Sequence, residues 1–89
     1  MRLVFNNPQV FEDYTTWSFE DKIKYKKVLA LIKDIERNPY SGIGKPEPLK
    51  YELSGCWSRR IDKEHRLIYR IDEGEESDLV LISCKGHYE

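Results

Sequence analysis

Glu47 stands between Pro46 and Pro48 in GKPEPLK, Gly44 to Lys50, with Lys45 and Lys50 at the flanks. Proline locks φ, removes a hydrogen-bond donor and pushes the preceding residue toward extended backbone. The carboxylate therefore leaves a short, stiff segment in few directions, which suits a group that must be aimed. The plain alternative is a rigid loop with Glu47 in water. Downstream, CWSRRID carries Arg59 and Arg60, and HRLIYRI carries His65, Arg66 and Arg70. Side chains alternate along a strand. Trp57, Arg59 and Ile61 then share one face, and Ser58, Arg60 and Asp62 the other. Arg66, Ile68 and Arg70 share a face, and His65, Leu67, Tyr69 and Ile71 take its opposite. On a small sheet at least one of Arg59 and Arg60 lies near Arg66. Arginines on adjacent strands repel unless an acid or an anion sits between them. Glu47, Glu52, Asp62 or Glu64 could be the acid. A phosphate could be the anion, because guanidinium presents a planar fork of donors that matches it.

The C-terminal His87 and Tyr88 add two further types. If the last strand is central, its end is held to the sheet, and His87 becomes a candidate general acid. Tyr88 can stack on a base or bind a phosphate oxygen through its hydroxyl. Together these groups suggest one reaction. RNA carries its own nucleophile, the 2′-hydroxyl. Cleavage without metal needs a base for that proton, cations for the phosphorane-like transition state and an acid for the departing 5′-oxygen. Glu47, Arg66 with Arg60, and His87 supply one of each, and no cofactor is called for. His65, beside Glu64 at a turn, fits a structural or binding role.

The elements that must position these residues follow from pattern. Arg2 to Phe5 is a strand candidate. Asn6, Asn7 and Pro8 start a helix, with proline where its missing N–H costs nothing. Val10, Phe11, Tyr14 and Trp17 follow at helical spacing and suit a core. Ser18 with Asp21 resembles an N-cap signature for a second helix from about Phe19 to Arg37. Ile23, Val28, Leu31, Ile32 and Ile35 mark its buried side, and Lys22, Lys24, Lys26, Lys27 and Lys33 largely its solvated side. Asn38-Pro39 ends it. Gly42 and Gly44 lie in a loop; GIGK lacks the length and helix context of a phosphate-binding loop. Leu49 to Leu53, Cys56 to Asp62, His65 to Ile71 and Leu79 to Cys84 read as strands, the last one central, with a tight turn at Ser54-Gly55. The order β-α-α-β-β-β-β predicts an α+β fold. Two N-terminal helices cover one face of a mostly antiparallel sheet of four to five strands.

A chain of 89 residues supports one domain, spanning 1–89, with a modest core. Eleven aromatics argue against disorder. No apolar run approaches a membrane span and the start lacks a signal peptide, so the expected location is the cytoplasm. Cys56 and Cys84 lack metal-ligand spacing and are expected as buried free thiols. The net charge is −1, yet DEGEESD, Asp72 to Asp78, holds five acids and no base. Between Lys45 and Arg70, seven Lys and Arg face four acids. That local excess is either an ordinary solvated face or a footprint for a phosphate backbone.

GKPEPLK, LSGCWSRRID, EHRLIY and CKGHY, in that order, resemble the YoeB family of toxins within the wider RelE-like fold, over nearly the whole chain. The resemblance implies a ribosome-dependent endoribonuclease that cuts mRNA in the decoding site. It also implies inhibition by a YefM-like antitoxin, binding of operator DNA only as the complex with that antitoxin, and a homodimer. It places the catalytic base on Glu47, the transition-state arginine on Arg66, the C-terminal pair on His87 and Tyr88, and phosphate contacts on Lys50 and Arg60. A non-catalytic toxin of the RelE/ParE fold that poisons a protein target, or an operon co-repressor subunit, are the alternatives. Three features depart from the family pattern: Cys56 replaces a common aromatic, DEGEESD lengthens a tight turn, and Glu89 follows the terminal tyrosine.

Overall fold

The computed structural model describes residues 1–86. Five strands and two helices follow in the order β1 (Arg2–Phe5), α1 (Pro8–Glu20), α2 (Lys22–Arg37), β2 (Glu47–Pro48), β3 (Trp57–Arg60), β4 (Arg66–Asp72) and β5 (Asp78–Ser83). They form one sheet of order β1-β5-β4-β3-β2. β1 runs parallel to β5, and the remaining pairs are antiparallel. β5 is interior, as its apolar sequence predicts, and β4 occupies the middle.

The period-2 reading of the strands decides which face is covered. Leu67, Tyr69, Leu79 and Leu81 are fully or almost fully buried in the same cluster as Val28, Leu31 and Ile35 of α2. Burying each such side chain contributes about 1.5–3 kcal/mol. The opposite face carries the other members of each strand and, among the described residues, neither α1 nor α2. Trp17 joins α1 to the end of β5: its indole N–H donates to the Cys84 carbonyl at 2.9 Å. Cys56 and Cys84 are free and buried, and burial pushes the Cys84 thiol up to about 12.

Several boundaries differ from the sequence reading. α1 continues through Ser18, whose hydroxyl donates back to Thr15 within the same helix. Asp21 itself caps α2, with Oδ1 accepting the Lys24 N–H at 3.1 Å. An extended aspartate supplies the same acceptor that the sequence reading placed on Ser18. Ile23 is 82% exposed, because the first turn of α2 points it away from the sheet. The strand expected over Leu49 to Leu53 is replaced by a 3₁₀ turn, Tyr51–Leu53, and β2 is only two residues long. Pro48 has no N–H to give a ladder, so β2 survives only as an edge strand.

Three carboxyls are held below the ordinary carboxylate range by hydrogen bonds from cations: Asp21 by Lys24, Asp34 by Arg59 and Asp78 by Arg2. A depressed folded value contributes stability above the unfolded value, about 3.9 for Asp, that is lost as pH falls through the folded value. Unfolding midpoints should therefore be flat above about pH 5 and fall below about pH 4. Denaturant titrations across that range check this; a midpoint that rises on acidification would contradict it.

Candidate active site

β2, β3 and β4 bring Glu47, Arg60 and Arg66 to the face opposite the two α-helices. Glu47 faces Ser58, and Ser58 faces Ile68. One step further along the same face, Arg60 lies directly opposite Arg66. Such partners have Cβ atoms about 4.5–5.5 Å apart, and like charges in that arrangement repel. Among the described residues no carboxylate forms an ion pair with Arg60, Arg66, Lys45 or Lys50. The four acids that could have separated the arginines do not. Arg66 is steadied instead by carbonyls: its guanidinium donates to Asp62 O at 2.7 Å and His65 O at 3.1 Å. Its remaining donors have no side-chain or carbonyl partner among the described residues.

These residues line one cleft of about 520 Å³. Ser58 and Ile68 form its floor, Glu47 and Pro48 one wall, Arg60 and Arg66 the other, and Lys45, Lys50 and Tyr51 its rim. The chain turns into and out of the Glu47 segment at two non-glycine residues with positive φ, Lys45 at 53° and Tyr51 at 58°. Such backbone costs of order 1–3 kcal/mol per residue and collects at functional sites. Tyr51 is 91% exposed on the cleft rim. Sequence reasoning did not single it out because it was placed inside a strand; its only signal is an aromatic between two charged residues, Lys50 and Glu52.

Arg59 is not a phosphate contact. It faces the helices, is fully buried, and all its donors are taken. Its guanidinium binds the Asp34 carboxylate, the carbonyls of Asn38, Ser41 and Ile43, and the Tyr69 hydroxyl. The Tyr69 hydroxyl in turn donates a hydrogen bond to Pro39 O at 2.6 Å. Alternation put Arg59 and Arg60 on opposite faces, and the register gives Arg66 to Arg60. What Arg59 holds is the loop after α2, which leads directly to Glu47. The loop's glycines belong to this arrangement. A Cβ on Gly42, at φ +122°, would stand 2.0 Å from Asp34 Oδ2. A Cβ on Gly44, at φ +79°, would meet Leu31 Cδ2 at 2.7 Å. Gly44 O accepts the Arg60 N–H at 2.7 Å, tying the loop to the cleft wall.

The acidic segment lies at the far end of the sheet. Asp72 and Asp78 pair with Arg70 and Arg2. β4 separates Arg66 from Asp72 by six residues, about 20 Å at strand rise. The near-zero net charge thus consists of a cationic cleft and a remote acidic loop. His87 and Tyr88, assigned as acid and binding group, and Glu89 lie outside the described residues. Among the described residues no three His, Cys, Asp or Glu side chains converge as metal ligands.

Comparison with known proteins bears on this geometry. The model of the YoeB-like toxin of bacterial type II toxin-antitoxin systems matches residues 5–88. The Toxin YoeB of Mycobacterium bovis is 47% identical over 88 residues, covering 99% of this chain and all of that protein. A YoeB/ParE toxin from Agrobacterium tumefaciens superposes with a TM-score of 0.93 at 43% identity, over 99% of this chain and 100% of that one. A YoeB-YefM complex and a YoeB dimer, both from Staphylococcus aureus, give TM-scores of 0.87 and 0.88 at 45% and 46% identity, over 99% of this chain and 98% of each of theirs. With a family match over nearly its full length and relatives covered end to end, the chain belongs to the YoeB-like toxins of bacterial type II toxin-antitoxin systems.

Proposed function

We propose that this toxin is an endoribonuclease that cuts mRNA in the ribosomal decoding site. The observation that carries the proposal is the convergence of Glu47 with Arg60 and Arg66 in one open cleft whose cations have no acid partner among the described residues. A phosphodiester supplies the missing anion. Glu47 takes the proton of the 2′-hydroxyl, and the 2′-oxygen attacks the adjacent phosphorus. Arg66 and Arg60 stabilise the charge that builds on the phosphoryl oxygens. As the P–O5′ bond breaks, His87 gives a proton to the departing oxygen, leaving a 2′,3′-cyclic phosphate. Lys50 holds a neighbouring phosphate, and Tyr88 stacks on a base or binds a phosphate oxygen. The ribosome fits as the site of action, because an open cleft on so small a chain holds little of an RNA by itself and needs the substrate presented.

A single 2′-deoxynucleotide placed on the 5′ side of the cut tests the chemistry. The reading expects that cut to vanish in a translating reaction while the all-ribose message is cleaved. A cut of undiminished strength would overturn the nucleophile. Tyr51 is a platform for a base, since stacking is worth about 1–3 kcal/mol per base. Tyr51→Ala should raise the KM for ribosome-bound mRNA about 10-fold with little change in kcat, while Tyr51→Trp keeps it. Steady-state cleavage assays separate the two.

The solved YoeB-YefM complex and YoeB dimer support a YefM-like antitoxin as the neutralising partner and a homodimer as the free form. Operator DNA is bound only through the antitoxin complex, and the protein acts in the cytoplasm.

A further inference from the structure

Resting on that nuclease reading, we propose that His65 is a positioning residue that fixes Gly86 against the start of β4, and that cleavage depends on this anchor. The sequence suggested only a structural or binding role for a histidine beside a turn. The geometry is more specific. His65 is buried, with 7% of its surface exposed. Its Nδ1 accepts the Gly86 backbone N–H at 2.8 Å. The N–H of the next residue, Arg66, donates to the Gly86 carbonyl at 2.8 Å. Both backbone polar groups of Gly86 are therefore bound by two consecutive residues, one of which is the proposed transition-state arginine.

Two further contacts fix the imidazole, and a third holds the residue's backbone. The Asp62 carboxylate accepts the His65 backbone N–H at 2.7 Å. The ring edge packs on Trp17, with centroids 4.9 Å apart. Glu64 lies 3.5 Å from Nε2. Because Nδ1 is the acceptor, the ring proton sits on Nε2, toward Glu64. Trp17 also holds Cys84 O, so one tryptophan–histidine pair anchors the chain at both Cys84 and Gly86. Consecutive Cα atoms are about 3.8 Å apart, so His87, the proposed acid, starts one residue from the anchor. A misplacement of about 1 Å in such a group can cost about 10²-fold in rate.

Three substitutions separate anchoring from packing. His65→Phe keeps a ring against Trp17 and removes the acceptor. His65→Asn keeps an acceptor near the position of Nδ1. His65→Gln moves it one bond outward, and it serves if the Phe variant does not fold. The readouts are the exchange rate of the Gly86 amide by NMR, and kcat and KM for cleavage of ribosome-bound mRNA. In the Phe and Gln variants the Gly86 amide is expected to exchange at least 10-fold faster and kcat to fall by about 10²-fold at unchanged KM, with both restored in large part by Asn. Cleavage by the Phe or Gln variant at the unmodified rate, or unchanged exchange at Gly86, would overturn the inference. An unmodified protein that cuts nothing would overturn the nuclease reading, and with it the role of His65 in cleavage. The amide exchange distinguishes that failure from failure of the anchor.

Discussion

Glu47→Gln is expected to lower ribosome-dependent cleavage by about 10²–10⁴-fold, the usual contribution of a positioned general base. The substitution is isosteric, and Glu47 is exposed, so the fold should persist with an unchanged unfolding midpoint. KM should change little, because the amide still fills the same place beside Pro48. The effect belongs to the proton transfer, so it should appear in kcat and in kcat/KM alike. Two prolines and an edge strand set Glu47 beside Ser58, in the cleft that Arg60 and Arg66 also line. A carboxylate used only for solubility would give a variant indistinguishable from the unmodified protein in single-turnover assays.

The second large effect is on stability. Arg59→Ala is expected to cost about 3–5 kcal/mol, the range for breaking a buried, hydrogen-bonded charge pair. The guanidinium is fully buried, and its removal leaves the Asn38, Ser41 and Ile43 carbonyls and the Tyr69 hydroxyl without their donor. Domains of this size have about 5–15 kcal/mol in total, so the variant should be largely unfolded near its former melting temperature. Arg59→Lys should recover only part, because an ammonium has three donors and no planar fork. Denaturant unfolding measures both. A loss below about 1 kcal/mol for Arg59→Ala would mean the guanidinium does not hold the loop that leads to Glu47. The contrast with Arg66 is informative: Arg66→Ala should leave stability nearly intact and remove most cleavage, about 10²–10³-fold.

Neighbouring residues that look alike in sequence therefore have unlike work. Arg59 and Arg60 are adjacent, and alternation alone separates them: one is a buried brace and the other a cleft wall. Strand alternation was legible, and so was the α+β order with two helices on one face. Which arginine faced Arg66 was not, because register depends on the loop lengths between β2, β3 and β4. The 3₁₀ turn at Tyr51 was hidden for a related reason. Its positive φ is imposed by the path of the chain over the cleft, and YEL has the composition of an ordinary strand. Asp34 carries no signal of its own in the helix pattern; its role needs Gly42 and Arg59 brought together across the fold. His65 was seen, but its partner Gly86 is 21 residues away and no local pattern joins them.

The central claim is that this cleft cuts RNA on the ribosome. Primer extension on an mRNA in a reconstituted translation reaction tests it most directly, with and without ribosomes, for the unmodified protein and for Arg66→Ala. The account predicts cuts within the decoding codon that need ribosomes and fade sharply in the variant. Full-length message with translation unaffected by the unmodified protein would contradict it and would point to a protein target.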